Sequence, residues 1–466
     1  MELKRTLSLK DAFLLLFTSM VGSGIFFTTG FVLKSAKHPY AVLLCWVIGA
    51  VFAIMGAMSY AYPAVMYPHA GGDYIYLRKV YSPLLGFLSG WAALVANFTA
   101  NIAVLALAFS KHLSFLVPIS TSEPLFFIGP IPIFFGSYQW IGLILVWGFT
   151  FINLVGVKKA LRIQNTLSLL KISGMIVFIL LGFSIGKLNW FHFSLDYSNI
   201  ENPPFEKFEF SFELIKGILN GMIPVSFAFF GWNMVTYVAG EVKEPEIIIP
   251  RSIILACSTV GIIYLLMNVL YLGSSDAQTL ISSKEGVGVV ASIQLFGTNA
   301  KFWMSLFILV MILGSLPAMI FAGSRIYYAM AKDKLFFSSL AKLHPKWHTP
   351  HNALLFQAIY SSFLILLGDI EKLLYFMTCA ILLLSIFTSF IPIYLDWKGV
   401  PTVFKIPFFP LPPLIYILGT SFLILYLAFT SPENALSGLA ITLAGVPVYF
   451  FMKKLEKNSN LDIKSK

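Results

Sequence analysis

Val21-Gly22-Ser23-Gly24-Ile25-Phe26 is the stretch that decides how this chain folds. It lies inside an apolar run from about Phe13 to Val32, and roughly 20 apolar residues are enough for a helix to cross a bilayer. Glycine inside a helix costs about 1 kcal/mol relative to alanine. Two glycines around a serine at mid-depth predict a helix that stops, leaves peptide groups open and resumes. Open backbone at that depth survives only when it is buried in protein or lines a wet cavity. The resuming half-helix points the positive end of its dipole into the gap, where free N–H groups can meet a negatively charged ligand. The competing reading is a packing face, since small residues let two spanning helices approach closely.

The rest of the chain is as apolar as this stretch. Of 466 residues, 58% are hydrophobic and 11% charged, against about 25% charged in soluble domains. The chain is therefore read as an all-α integral membrane protein. A net charge of +11 raises the question of nucleic acid, but the basic residues fall in short clusters between apolar runs, so no nucleic-acid partner is expected. The first ten residues are polar and basic, and the run after them is too long for a cleaved leader. Cys45, Cys257 and Cys379 all sit in apolar stretches. They read as small core residues, not as disulfides or metal ligands.

Counting apolar runs predicts about twelve spans, among them 11–33, 84–110, 167–187, 213–239, 302–330, 352–369 and 371–394. The last two are joined by a tight turn at Asp369 to Lys372. With both termini in the cytoplasm, most of the 32 lysines and arginines fall on the inner side, as the positive-inside rule asks. The sixth span carries a second interruption. It reads Phe227-Ala228-Phe229-Phe230-Gly231-Trp232-Asn233 with Pro224 just before, and proline removes a backbone bond. Interrupted segments at matching places in two halves point to inverted repeats. Five spans per repeat divide the chain into 1–200, 201–398 and an added 399–466, with helices 1 and 6 broken.

At these residues the chain resembles the amino acid–polyamine–organocation transporter superfamily, and within it the L-type amino acid transporter group and its bacterial relatives. The resemblance rests on the 21–26 stretch, Gly71-Gly72-Asp73-Tyr74-Ile75-Tyr76, the sixth-span core, Gly240 to Pro245 with Ile249-Pro250, and Ser324-Arg325 through Asp333 with His344-Pro345 and Thr349-Pro350. It implies a leucine-transporter-type 5+5 fold moving amino acids by alternating access across the plasma (inner) membrane. It also implies a substrate site in which the N–H groups of Ser23, Gly24 and Ile25 meet the carboxylate. Carbonyls of Met20 and Val21, and of Phe227, Ala228 and Phe230, meet the ammonium. Phe227 falls on the family's gate aromatic, although a packing phenylalanine is common in a chain with 45 of them. Asn233, Asn101 and Ser315 fall on pocket positions, and an amide in a spanning helix can equally be interhelical glue.

Lys171 is the one lysine well inside a predicted span. A lysine near a helix end can snorkel to water; one at depth faces a cavity or partner. By resemblance, Lys171 stands where relatives hold a sodium ion between spans one and eight. That implies sodium independence, with proton coupling or exchange. Mid-span positions lack Asp and Glu, which favours a neutral, bulky amino acid. An amine, polyamine or cationic amino acid carrier of the same fold is the alternative, because aromatic rings can hold cations. A membrane-embedded transferase would want His or paired carboxylates at the membrane face. All seven histidines fall in predicted loops or span ends, and His344, His348 and His351 read as a solvated loop. No cofactor or metal is expected. Eukaryotic relatives of the L-type group pair with a glycoprotein through a cysteine after span three. Lys111 to Gly136 holds none, so a disulfide-linked heavy subunit is not expected; the partners left are the amino acid and membrane lipid.

Overall fold

Backbone polar groups in lipid must pair within the protein, which restricts spanning segments of an apolar chain to helices. The structure, a computed structural model, describes all residues except 1–2, 120–123, 130, 198–200, 202, 369, 403 and 465–466. Among the described residues eight helices are long and apolar enough to cross a membrane, and a bent pair makes a ninth. That pair is α1 (Leu9–Met20) and α2 (Gly24–Ala36), which meet at 44°. Ser8 and Asp11 start α1 with reciprocal side chain–backbone bonds of 2.9 and 3.3 Å, a capping box. After α3 (Pro39–Met66) comes the short α4 (Asp73–Val80). The third span is α5 (Pro83–Ala92), a π-helical turn Ala93–Phe98 and α6 (Thr99–Leu113).

A two-stranded hairpin follows, β1 (Pro124–Ile128) and β2 (Ile131–Phe134), then α7 (Ser137–Leu154) and α8 (Val157–Ser184). The second half starts with α9 (Phe212–Ala228) and a single turn, α10 (Met234–Tyr237), before α11 (Pro245–Ser274). Two short helices, α12 (Ala277–Ile281) and α13 (Val287–Phe296), lead to α14 (Ala300–Lys332). The chain ends in α15 (His351–Leu367), α16 (Ile370–Trp397), α17 (Leu411–Thr430), α18 (Pro432–Leu443) and α19 (Gly445–Lys464).

Packing places the interrupted helices at the centre. The pair α1/α2 lies against α9, α11, α8 and α14, and α3 packs along α11 and α9. α14 is the most enclosed of the long helices, while α7, α17 and α18–α19 keep most of their surface outside, as lipid-facing helices do.

Several boundaries differ from the sequence reading. The hairpin is an addition to an all-α expectation; in sequence its residues look like a loop, because the run is apolar without alternation. The sixth span has 17 helical residues before its break and only four in regular α-helix after it. α15 is likewise 17 residues long, just below the length of an independent span, whereas α16 runs for 28 residues. The α15–α16 link is shorter than Asp369–Lys372, because Gly368 turns with φ +70° and α16 resumes at Ile370. Arg325, near the end of the predicted span 302–330, is buried, and α14 runs on to Lys332. Cys45 and Cys257 are buried free thiols. The side chain of Cys379, residue Asp369 and the repeat boundary at Ile200 lie outside the described residues.

Candidate functional site

The first interruption spans Val21 to Ser23. Val21 is extended (φ −87°, ψ 93°) and Ser23 leads into α2 without a side-chain cap. The first N–H groups of a helix have no intrahelical acceptor. Here the N–H groups of Gly22, Ser23, Gly24 and Ile25 find no backbone acceptor among the described residues. They stand at the positive end of a 13-residue helix, which favours an anion.

The second interruption spans Phe229 to Asn233. Gly231 has φ +103°, and a Cβ there would lie 2.7 Å from the Ser19 carbonyl oxygen. Only glycine accepts both the left-handed backbone and that approach. The two breaks thus touch. Gly24 lies against Ala228, where an added Cβ would sit 3.5 Å from the Ala228 Cα. Tyr264 of α11 closes the junction. Its hydroxyl is 3.0 Å from both the Met20 and Ala228 carbonyls, so one proton is shared between the ends of α1 and α9. The Tyr264 ring packs edge-on against Trp46 and Phe229.

Lys171 reaches the first break from α8 and has no exposed surface. Its Nζ donates to the Val21 carbonyl at 2.7 Å, to Ser315 Oγ at 2.8 Å and to the Thr18 carbonyl at 3.1 Å. Ser315 Oγ also donates toward the Thr18 carbonyl at 3.0 Å. A buried ammonium is costly unless its donors are used; here all three protons have an oxygen. Gly314 makes the room, since a Cβ on it would lie 2.3 Å from Lys171 Cε. An oxygen-lined position between α1 and α14 is thereby filled by the Lys171 amino group, and snorkelling is excluded by geometry.

A cavity of about 1340 Å³ runs from the two breaks to one end of the molecule. Met20, Ser23, Gly24, Asn101, Phe227, Ala228, Phe230 and Ser315 line it. Val21, Ile25 and Asn233 do not: Val21 turns its carbonyl to Lys171, Ile25 is fully buried, and Asn233 points its amide toward the Tyr237 hydroxyl at 3.5 Å. Around the breaks the wall is mostly apolar, with Val104, Leu105, Ile223, Met319 and Ile381, plus Ser19, Ser226 and Asn101. Asn101 Nδ2 rests 4.0 Å from Met319 Sδ. Lys34, Lys37, Lys207 and Lys216 alternate with Glu206, Glu209 and Glu213 around the mouth.

The opposite end is sealed. The N–H groups of Thr6 and Leu7 donate to the Glu241 carbonyl at 2.8 and 2.9 Å, and the Lys243 N–H returns to the Leu7 carbonyl at 3.0 Å. Arg325 and Glu241, each about 1% exposed, pair at 2.7 Å. Asp73 accepts from the hydroxyls of Tyr237 and Thr388, and Asp333 accepts from Tyr74 and Arg78. Tyr264, Gly314, Thr18 and the Glu241–Arg325 pair are structural features around the breaks that sequence reasoning misses. Glu241 and Arg325 stand in motifs that carry the family resemblance, but nothing local says that they meet.

Comparison with known proteins agrees with this architecture. Residues 7–452 match the family described as Amino acid permease. The chain is 30% identical to the rat Large neutral amino acids transporter small subunit 2, over 96% of this chain and 80% of the relative. It is 27% identical to the Serine/threonine exchanger SteT of Bacillus subtilis, over 97% and 98%. It is 28% identical to the human Cystine/glutamate transporter, over 96% and 85%. A multi-pass helical protein with two contacting helix breaks, matched along nearly its whole length, this chain belongs to the amino acid permease family.

Proposed function

We propose that this protein carries neutral L-amino acids by alternating access, without sodium, by exchange or with a proton. Family membership makes it an amino acid transporter and not an enzyme. The observation that carries the finer reading is the junction of the two breaks at the floor of the cavity. A zwitterion has a negative end for the free N–H groups of Ser23 and Gly24, which line the cavity, and a positive end for carbonyls at the ends of α1 and α9. The apolar wall around Val104, Met319 and Ile381 suits an uncharged side chain, and Phe227 at its rim suits a gate. Relatives named for large neutral amino acids and for serine/threonine exchange support the same class and mode.

Lys171 would stand in for a coupling cation. Its ammonium holds Thr18, Val21 and Ser315 together, so the first break keeps its shape without an added ion. Five-span repeats at 1–200 and 201–398 with 399–466 appended, twelve spans in all, and cytoplasmic termini in the plasma membrane complete the reading. In that orientation the cavity opens outward and the Glu241–Arg325 end is the closed inner side.

The test is counterflow in proteoliposomes against the twenty amino acids, with and without sodium and a pH gradient. Neutral amino acids should exchange equally well in sodium and choline buffers. A strict sodium requirement, or competition only by decarboxylated amines, would overturn the proposal. Lys171→Ala should abolish or uncouple this exchange in protein that still purifies as a monodisperse species.

A further inference from the structure

The hairpin between α6 and α7 has a composition unsuited to water. From Pro124 to Gly136 the sequence carries no charged side chain. Leu125 is 66% exposed and Phe127 64%, with Phe126 and Phe135 also on the surface. Clustered apolar exposure of this kind marks a contact surface. The opposite side of the hairpin is anchored. Ile133 is buried, and Phe134 lies over the turn after α15, where a Cβ on Gly368 would come within 2.4 Å of its ring.

Position and continuity say what covers the exposed side. His112 at the end of α6 packs edge-on against Phe27 of α2 at 5.3 Å, so the hairpin leaves from the end where the cavity opens. Its last ring, Phe135, meets Trp140 edge-on at 4.9 Å. Trp140 begins an exposed stripe on α7, continued by Ile144, Trp147 and Phe151. Those residues recur at helical spacing and form one face, the face a spanning helix turns to lipid. The hairpin extends that face beyond the helix end. Antiparallel pairing of Phe126 with Ile133 and of Phe127 with Pro132 joins the strands. Pro124 and Pro132 have no backbone N–H, which leaves fewer open donors along the strand edges.

We propose that the β1–β2 hairpin rests in the membrane interface on the side of the cavity mouth, with Leu125 and Phe127 against lipid acyl chains. Aromatic side chains favour that depth. The hairpin thereby ties the α15–α16 turn and the α6–α7 connection to the leaflet surface.

The experiment uses the full chain in liposomes, with Phe127→Cys, and separately Leu125→Cys, carrying an environment-sensitive fluorophore in a Cys379→Ser background. The parent without an added cysteine controls for the buried Cys45 and Cys257. The proposal expects blue-shifted emission that is lost in vesicles of brominated-chain lipid and is insensitive to aqueous iodide. Red emission quenched by iodide would place the hairpin in water and overturn it. Emission untouched by brominated lipid, but with energy transfer between labelled copies that vanishes on dilution with unlabelled protein, would assign the surface to a second copy and equally overturn it. Two labelling sites keep the result readable if one variant misfolds.

Discussion

The two interrupted spans solve the same problem in different ways. The first break is open and polar: four N–H groups without backbone acceptors among the described residues, followed by a 13-residue half-helix. It keeps its shape because Lys171 and Ser315 hold the Thr18 and Val21 carbonyls from outside. The second break is held by fit. Gly231 turns with φ +103° against Ser19, and only one regular α-turn follows before Glu241 locks onto Arg325. In the proposed transport cycle the first would receive the ligand and the second would be the part that moves. Binding and closure can therefore be separated by mutation.

Arg325→Ala should have the largest effect. Removing one partner of a buried ion pair costs about 3–5 kcal/mol because the other charge is stranded. Thermal unfolding should show that loss, and a thiol probe placed at Val242 should become reactive from the sealed end. If the melting temperature stays put and Val242 stays protected, the lock is not where the second span ends.

Gly231→Ala is next. A left-handed non-glycine residue costs about 1–3 kcal/mol, and its Cβ would overlap the Ser19 carbonyl. Transport should fall to background while folded protein is still recovered. Normal exchange by this variant would show that the breaks need not touch.

Tyr264→Phe is the mildest. It deletes one hydroxyl that serves both the Met20 and Ala228 carbonyls, a loss of about 0.5–1.5 kcal/mol per hydrogen bond. Because those carbonyls belong to different breaks, the change should raise the KM for exchange and leave the melting temperature within a few degrees. An unchanged KM would mean that the ends of α1 and α9 are aligned by packing alone.

The legibility of these features in the sequence follows their locality. Gly22, Gly24 and Gly231 announce breaks because glycine weakens a helix wherever it interrupts an apolar run, and Lys171 stands out because a charge at depth is rare. Tyr264 has no such contrast; it is one of 20 tyrosines, and its role exists only where α11 passes both breaks. Glu241 and Arg325 are visible as charges near span ends, but their burial depends on α14 continuing to Lys332. The hairpin is hidden for the opposite reason, since a loop of apolar residues lacks the alternation that signals a strand.

Binding at the first break is the claim on which the account rests, and equilibrium binding of a neutral amino acid to wild type, Gly24→Ala and Gly24→Leu tests it most directly. A ligand that binds only the folded protein raises its melting temperature in proportion to RT ln(1 + [L]/Kd). An alanine Cβ meets Ala228 at ordinary contact distance, so Gly24→Ala should keep a reduced ligand-induced shift. Gly24→Leu should melt near the ligand-free wild type and show no shift at any concentration. A full shift in Gly24→Leu would contradict the account.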